Sequence, residues 1–137
     1  MAGEPLRGSC LCGGVRYEVR GPLEGVARCH CRECRKASGA EFATNASVTT
    51  ADLHLEGEEL LRAYESSPGQ ERCFCGRCGS PVLKRRGDLP GTVRIRLGCV
   101  DTPLDEKPKI RVFTAEKLGL SDLPDDGIPS FERLPGS

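Results

Sequence analysis

The chain has 137 residues, the length of one domain, and balances 20 Lys plus Arg against 20 Asp plus Glu for a formal net charge of zero. That balance argues against a dedicated nucleic-acid binder whose affinity rests on neutralising phosphates. Only 4% of the residues are aromatic, none is Trp, and 17 Gly and 10 Pro thin the core further, so nine cysteines are the obvious source of extra cohesion.

The N-terminal stretch "MAGEPLRGSC" has no basic and apolar leader, and no segment approaches the ~18 apolar residues needed to span a membrane, so a reducing, cytoplasmic setting without membrane contact is expected. "VRYEVR" alternates strictly, with Val15, Tyr17 and Val19 on one face and Arg16, Glu18 and Arg20 on the other, the pattern of a half-buried strand. "FATNASV" (42–48), "ELLRAYES" (59–66), "SPVLK" (80–84) and "TVRIRL" (92–97) read as further strands, and turn chemistry falls at "SSPG" (66–69) and "GDLPG" (87–91). His54 alternates with Leu53 and Leu55 and reads as a solvent-facing strand residue. No stretch sustains a long helical period, and a helical turn is expected only near "SGAEF" or "AEKLGL". "KIRVFT" (109–114) is one more strand, followed by an irregular tail whose Ile128, Phe131 and Leu134 suggest docking. The expectation is one all-β domain, 1–137, of short antiparallel strands, irregular from about residue 121.

The cysteines fall as Cys10 and Cys12, then Cys29, Cys31 and Cys34, then Cys73, Cys75 and Cys78, with Cys99 alone. Close pairs set on turns aim two thiolates at one point, which suits a metal better than a disulfide framework. Four ligands close a structural zinc site, and three leave a position for water or substrate. Joining Cys10 and Cys12 to Cys75 and Cys78 is the favoured partition, because two short knuckles from opposite ends of the chain would clamp the sheet. The other partition joins "CHCREC" to "CFCGRC" and leaves "CLC" idle. Spacing alone is also compatible with every metal being structural, as in a zinc ribbon. Seven thiolates with two zinc ions would bring the loaded protein to a charge of about minus three.

Four motifs in order, "GSCLCGGVRYEV", "CHCRECRKASGAEF", "YESSPGQERCFCGRCGSPV" and "RIRLGCVD", together resemble the glutathione-dependent formaldehyde-activating enzyme family, whose wider group includes the domain of centromere protein V. The resemblance implies a β-tent fold and two zinc ions per chain. It assigns Cys10, Cys12, Cys75 and Cys78 to a structural zinc, and Cys29, Cys31 and Cys34 to a second, catalytic one on the substrate side. The implied reaction adds formaldehyde to the sulfur of glutathione, giving S-hydroxymethylglutathione, formally a carbon-sulfur lyase run in reverse. The chain departs from the family in showing Asn45 and "EKLGL" where aromatic residues and a Trp are common.

Arg32, Arg35 and Lys36 are the cations placed to meet a tripeptide's carboxylates. His30, between two cysteines, should point away from their metal if the chain is extended there, and is weighed as a general base or a packing neighbour. Arg72 offsets thiolate charge or meets an anionic substrate, and Cys73 and Cys99 read as buried fillers. The rival function is a non-catalytic, zinc-stabilised binding module that uses Arg32 to Lys36 and the "KRRGD" tip on a nucleic acid or protein partner. A redox or metal-storage role would rest on Cys73 and Cys99.

Overall fold

A computed structural model describes residues 4–135. In chain order the strands and the helix are β1 (Leu6–Ser9), β2 (Arg16–Val19), β3 (Glu24–Cys29), α1 (Arg32–Ser38), β4 (Ala43–Thr49), β5 (Leu53–Glu56), β6 (Leu61–Ser67), β7 (Gln70–Cys75), β8 (Pro81–Arg86), β9 (Thr92–Arg96) and β10 (Ile110–Val112). The regular elements are thus strands with one short α-helix, an all-β fold. Among the described residues no helix is long and apolar enough to cross a membrane. These residues gather into two compact units: one joins the chain up to Glu24 to Ala46–Asp105, the other joins Gly25–Asn45 to the chain from Glu106 onward.

In the first unit, β1, β2 and β5 form an antiparallel sheet in which Tyr17 faces Gly8 on one side and Leu55 on the other. Strands β6, β7, β8 and β9 pair in sequence order, each antiparallel to the next. Period-two alternation sends Val15, Tyr17 and Val19 into the same cluster as Val48, Val82, Leu83, Val93 and Ile95, and Tyr17 is the one aromatic ring among its buried members. Cys10, Cys73 and Cys75 complete that cluster, so the sulfur knuckles are part of the core itself. At the turn after β5, Gly57 has φ +82°, and a Cβ there would lie 1.9 Å from the Gly14 carbonyl oxygen. Only glycine permits that close approach.

The second unit holds β3, β10, α1 and the first residues of β4. The strands are mostly antiparallel as expected, but here β10 pairs parallel to β3, with Val112 opposite Cys29. Alternation predicts a strand but carries no information about its direction. The helix also lies earlier than the sequence suggests, over Arg32–Ser38 and not at "SGAEF"; Gly39, in the left-handed region at φ 68°, ends it by donating to the Arg35 carbonyl at 2.8 Å. The tail docks as its apolar residues suggest: Arg111 and Phe131 exchange backbone bonds with Pro129 and Arg111, each 2.9 Å.

A bidentate ion pair fastens that tail, since the buried Arg111 guanidinium donates to both carboxylate oxygens of Asp126, at 3.1 and 2.5 Å. Hydrogen bonds from Arg111 hold the Asp126 carboxyl down to about 2, below the ordinary range near 3.9. A depressed carboxyl stabilises the folded state fully above the unfolded value and loses that contribution as pH falls through the folded one. Protection of the Arg111, Phe113, Thr114, Ala115 and Phe131 amides in hydrogen exchange should therefore hold above about pH 4 and fade toward pH 2. In Asp126→Asn the same amides should be poorly protected at every pH, and wild-type protection in that variant would rule the clasp out.

Candidate functional site

Two sets of cysteine sulfurs converge. In the first unit the Sγ atoms of Cys10, Cys12, Cys75 and Cys78 all lie within 4.8 Å of one another, and in the second unit so do those of Cys29, Cys31 and Cys34. The sulfurs therefore divide four and three, and "CLC" is not idle.

The four-sulfur set is built from two matching knuckles. The Cys10 amide donates to the Val15 carbonyl and the Cys75 amide to the Ser80 carbonyl, both at 2.9 Å, so each chain folds back five residues after its first cysteine. Gly13 and Gly79 supply the positive φ (79° and 82°) that lets the knuckles turn. Sulfur to sulfur, Cys10 to Cys12 is 3.6 Å and Cys12 to Cys75 is 3.8 Å. The edge of a tetrahedron with zinc-sulfur distances of ~2.3 Å is about 3.8 Å, so the donor set fits zinc. Donors also surround the sulfurs: the Val15 amide reaches Cys10 at 3.2 Å, the Arg77 amide reaches Cys75 at 3.4 Å, and Arg77 Nε reaches Cys12 at 3.3 Å. The Ser80 hydroxyl and amide hold the Cys78 thiol down to about 5, and the Gly14 amide followed by Arg77 lowers that of Cys12. These groups stabilise thiolates, the form that binds metal.

The three-sulfur set sits where β3 runs into α1. Cys29 ends β3, Cys31 is the helix N-cap, and Cys34 lies one turn on with its amide donating to Cys31 Sγ at 3.3 Å. A cysteine thus takes the capping place that Ser or Asp usually fills. Cys29 and Cys34 are buried and Cys31 is half-buried. Hydrogen bonding to Cys31, then to Cys34, and burial together push the Cys29 thiol far above its usual range. Three thiols this close cannot all ionise unaided, and a divalent cation removes the penalty, so this set too can hold a metal. No fourth Cys, His, Asp or Glu joins the group among the described residues.

The His30 imidazole is not part of that group. It is buried, its Nδ1 has no hydrogen-bond partner among the described atoms, and its ring packs 5.1 Å from that of Phe42. Burial, then the Arg111 and Lys117 charges, lower its pKa, which keeps it neutral near pH 7. Arg28 lies over the same Phe42 ring at 5.1 Å.

The three cations singled out in "CRECRK" do different things. The Arg32 amide donates to Glu116 Oε1 at 2.9 Å, Arg35 Nε reaches the His30 carbonyl at 3.4 Å, and Arg35 and Lys36 line one wall of an open groove of about 560 Å³. Leu118 and Leu120, to which the sequence assigns no role, line the groove as well. The Ser121 hydroxyl donates to Glu41 Oε1, on a residue of the same lining, at 2.7 Å. Exposed leucines beside a turn give no sequence signal of a groove until the tail is seen to dock.

Elsewhere, Arg72 is buried with its Nε on the Ser66 hydroxyl at 2.9 Å, Cys73 is buried beside Arg85, and the half-buried Cys99 thiol donates to the Pro81 carbonyl at 3.2 Å. Burial raises the pKa of both thiols. His54 is exposed on β5. A second cavity, about 360 Å³, lies between the β6–β7 and β8–β9 turns away from either sulfur set; Arg86 on its wall is paired with Asp88 and Arg85 with Glu58.

Comparison with known proteins adds to this geometry. Residues 5–116 match the family model described as Glutathione-dependent formaldehyde-activating enzyme. A protein of Halomonas elongata, provisionally named as such an enzyme, is 36% identical over 112 residues, covering 76% of this chain and 71% of the relative. The crystal structure of a Rhodobacter sphaeroides protein aligns with a TM-score of 0.58 at 23% identity, over 91% of this chain and 98% of that one, a likeness of fold.

Substitution separates the two sulfur sets. Cys75→Ala should abolish cooperative unfolding or cost roughly 5 kcal/mol or more, because it removes a core member together with a metal ligand. Cys31→Ala, at a half-buried cap, should stay within roughly 1 to 2 kcal/mol of wild type while losing one equivalent of zinc. Denaturant melts with zinc content measured by mass spectrometry check both, and equal destabilisation would refute the division.

Proposed function

Because the chain belongs to the glutathione-dependent formaldehyde-activating enzyme family, we propose that residues 1–137 act as one zinc-dependent domain that joins a small thiol, glutathione foremost, to formaldehyde. The observation that carries this reading is the three-sulfur set at the start of α1, with no fourth side-chain donor among the described residues. Cys10, Cys12, Cys75 and Cys78 hold the structural zinc, and Cys29, Cys31 and Cys34 hold the second. That second ion, when bound, supplies a cation that favours the thiolate form of an incoming thiol.

The chain's own residues bind and orient. Arg35 and Lys36 offer charge-assisted contacts to the carboxylates of the tripeptide, and Leu118 and Leu120 cover its less polar part. Held at one end, the thiol needs no long search for its partner, and positioning replaces translational entropy as the main catalytic contribution. The balance is simple: the thiol gives up its proton, the sulfur bonds the aldehyde carbon, and the former carbonyl oxygen takes a proton to become the hydroxyl of S-hydroxymethylglutathione. Nothing is oxidised or reduced, and the reverse is a carbon-sulfur lyase step. None of the nine cysteines is in a disulfide, which suits a reducing, cytoplasmic compartment.

Cobalt replacement tests the reading directly. Glutathione should produce a saturable change in the thiolate charge-transfer and ligand-field absorption of the dicobalt protein, and an unchanged spectrum at full loading would indicate closed sites and a binding module. Arg35→Ala and Lys36→Ala should each weaken the glutathione response about tenfold, as befits a hydrogen bond to a charged group. Neither should alter the response to 2-mercaptoethanol, which has no carboxylate.

A further inference from the structure

Phe113 has φ 56°, the only positive φ at a non-glycine residue among those described. A bulky side chain in the left-handed region is strained, and such strain persists only where the surroundings over-determine it. Here they do so from both sides. The Phe113 amide donates to the Arg133 carbonyl at 3.2 Å, the Thr114 amide and hydroxyl both reach the Phe131 carbonyl at 3.1 Å, and the Ala115 amide reaches Glu132 at 3.2 Å. Two residues earlier, Arg111 is bonded along its backbone to the same tail and clasped by Asp126. Glycine would adopt this backbone without strain, so the ring is the one thing phenylalanine adds at the position. That ring packs, with Cys31 and Ile110, against the cluster of Cys29, Cys34, Ala43 and Val112.

We infer that Phe113 is a positioning residue for the three-sulfur site: its strained backbone holds the ring as a wall that sets how large a reagent can reach the sulfurs. A slim thiol and a one-carbon aldehyde pass; bulkier partners do not. The catalytic meaning of this wall rests on the proposed function, whereas its existence can be tested with no substrate at all.

The test uses the full zinc-loaded chain, pulsed with iodoacetamide or with the bulky pyrene maleimide. Modification is read by mass spectrometry on the peptide that carries Cys29, Cys31 and Cys34, and the four-sulfur knuckles serve as an internal control. In Phe113→Gly the bulky-to-small ratio at the three-sulfur peptide should rise about tenfold, with no change at the knuckles, because access and not thiolate character has been altered. Thermal unfolding should stay near wild type, since relief of strain offsets lost packing. Phe113→Asn, which tolerates the same backbone, serves as the second variant if the glycine form folds poorly, with the same expected shift. A ratio equal to wild type in either folded variant, or an equal rise at both sulfur sets, would overturn the wall. A shifted ratio with a glutathione-silent cobalt spectrum would sink the proposed substrate and leave the wall standing; an unshifted ratio with a responsive spectrum would do the reverse.

Discussion

Sulfurs held within 4.8 Å of one another are the constraint on which the rest depends. As thiols they are tolerable neighbours, but as thiolates they repel strongly unless a cation sits among them. The fold invests heavily in that arrangement. In the first unit Cys10 and Cys75 are buried in a cluster of valines, Leu83 and Ile95 with Tyr17 as its one buried aromatic ring. A metal bound there would add ligand bonds to that burial, a reinforcement suited to a chain with few aromatic residues.

The two sulfur sets use one element type for different ends. Around the four-sulfur set, amides, a guanidinium and a hydroxyl are already aimed at the sulfurs, which favours the thiolate form at Cys12 and Cys78. The three-sulfur set has a helix cap, a crowded and disfavoured Cys29 thiolate, and no fourth side chain. Three thiolates donate so much charge that a zinc held by them would be a poor Lewis acid, unsuited to activating water. What such a site does well is hold one more thiol in place. Two cations of α1, Arg35 and Lys36, line an open groove.

Much of this was legible in the sequence, for identifiable reasons. Alternation in "VRYEVR" and "TVRIRL" gave the buried faces, because period two survives in any half-buried strand. The cysteine knuckles were legible from spacing and glycine placement, both local properties, while their four-and-three grouping was the favoured of two partitions that spacing left open. What failed was non-local or chemically unusual. Helix α1 has seven residues and a cysteine as its N-cap, so neither length nor capping chemistry announces it. The parallel pairing of β10 with β3 is a matter of topology that no single strand encodes. Phe113 carries none of the Gly or Asn signal that betrays positive φ, and the tail that enforces it lies about twenty residues further on.

In the second unit, core and site are the same residues. Its apolar cluster consists of Cys29, Cys34, Ala43 and Val112, edged by Cys31, Ile110 and Phe113, so nearly half of these side chains are the sulfurs themselves. A cluster that small cannot hold a strained phenylalanine by burial alone, since its few side chains remove little apolar surface from water. The holding force comes instead from directional bonds: the Arg111–Asp126 clasp, the backbone exchange along 129–133, and Glu116 on the first turn of α1. Directional bonds fix positions where apolar contact would let side chains slide, and a site that selects by size needs fixed positions. The tail that reads as irregular in sequence is thereby the element that fixes the strand beside the three-sulfur set.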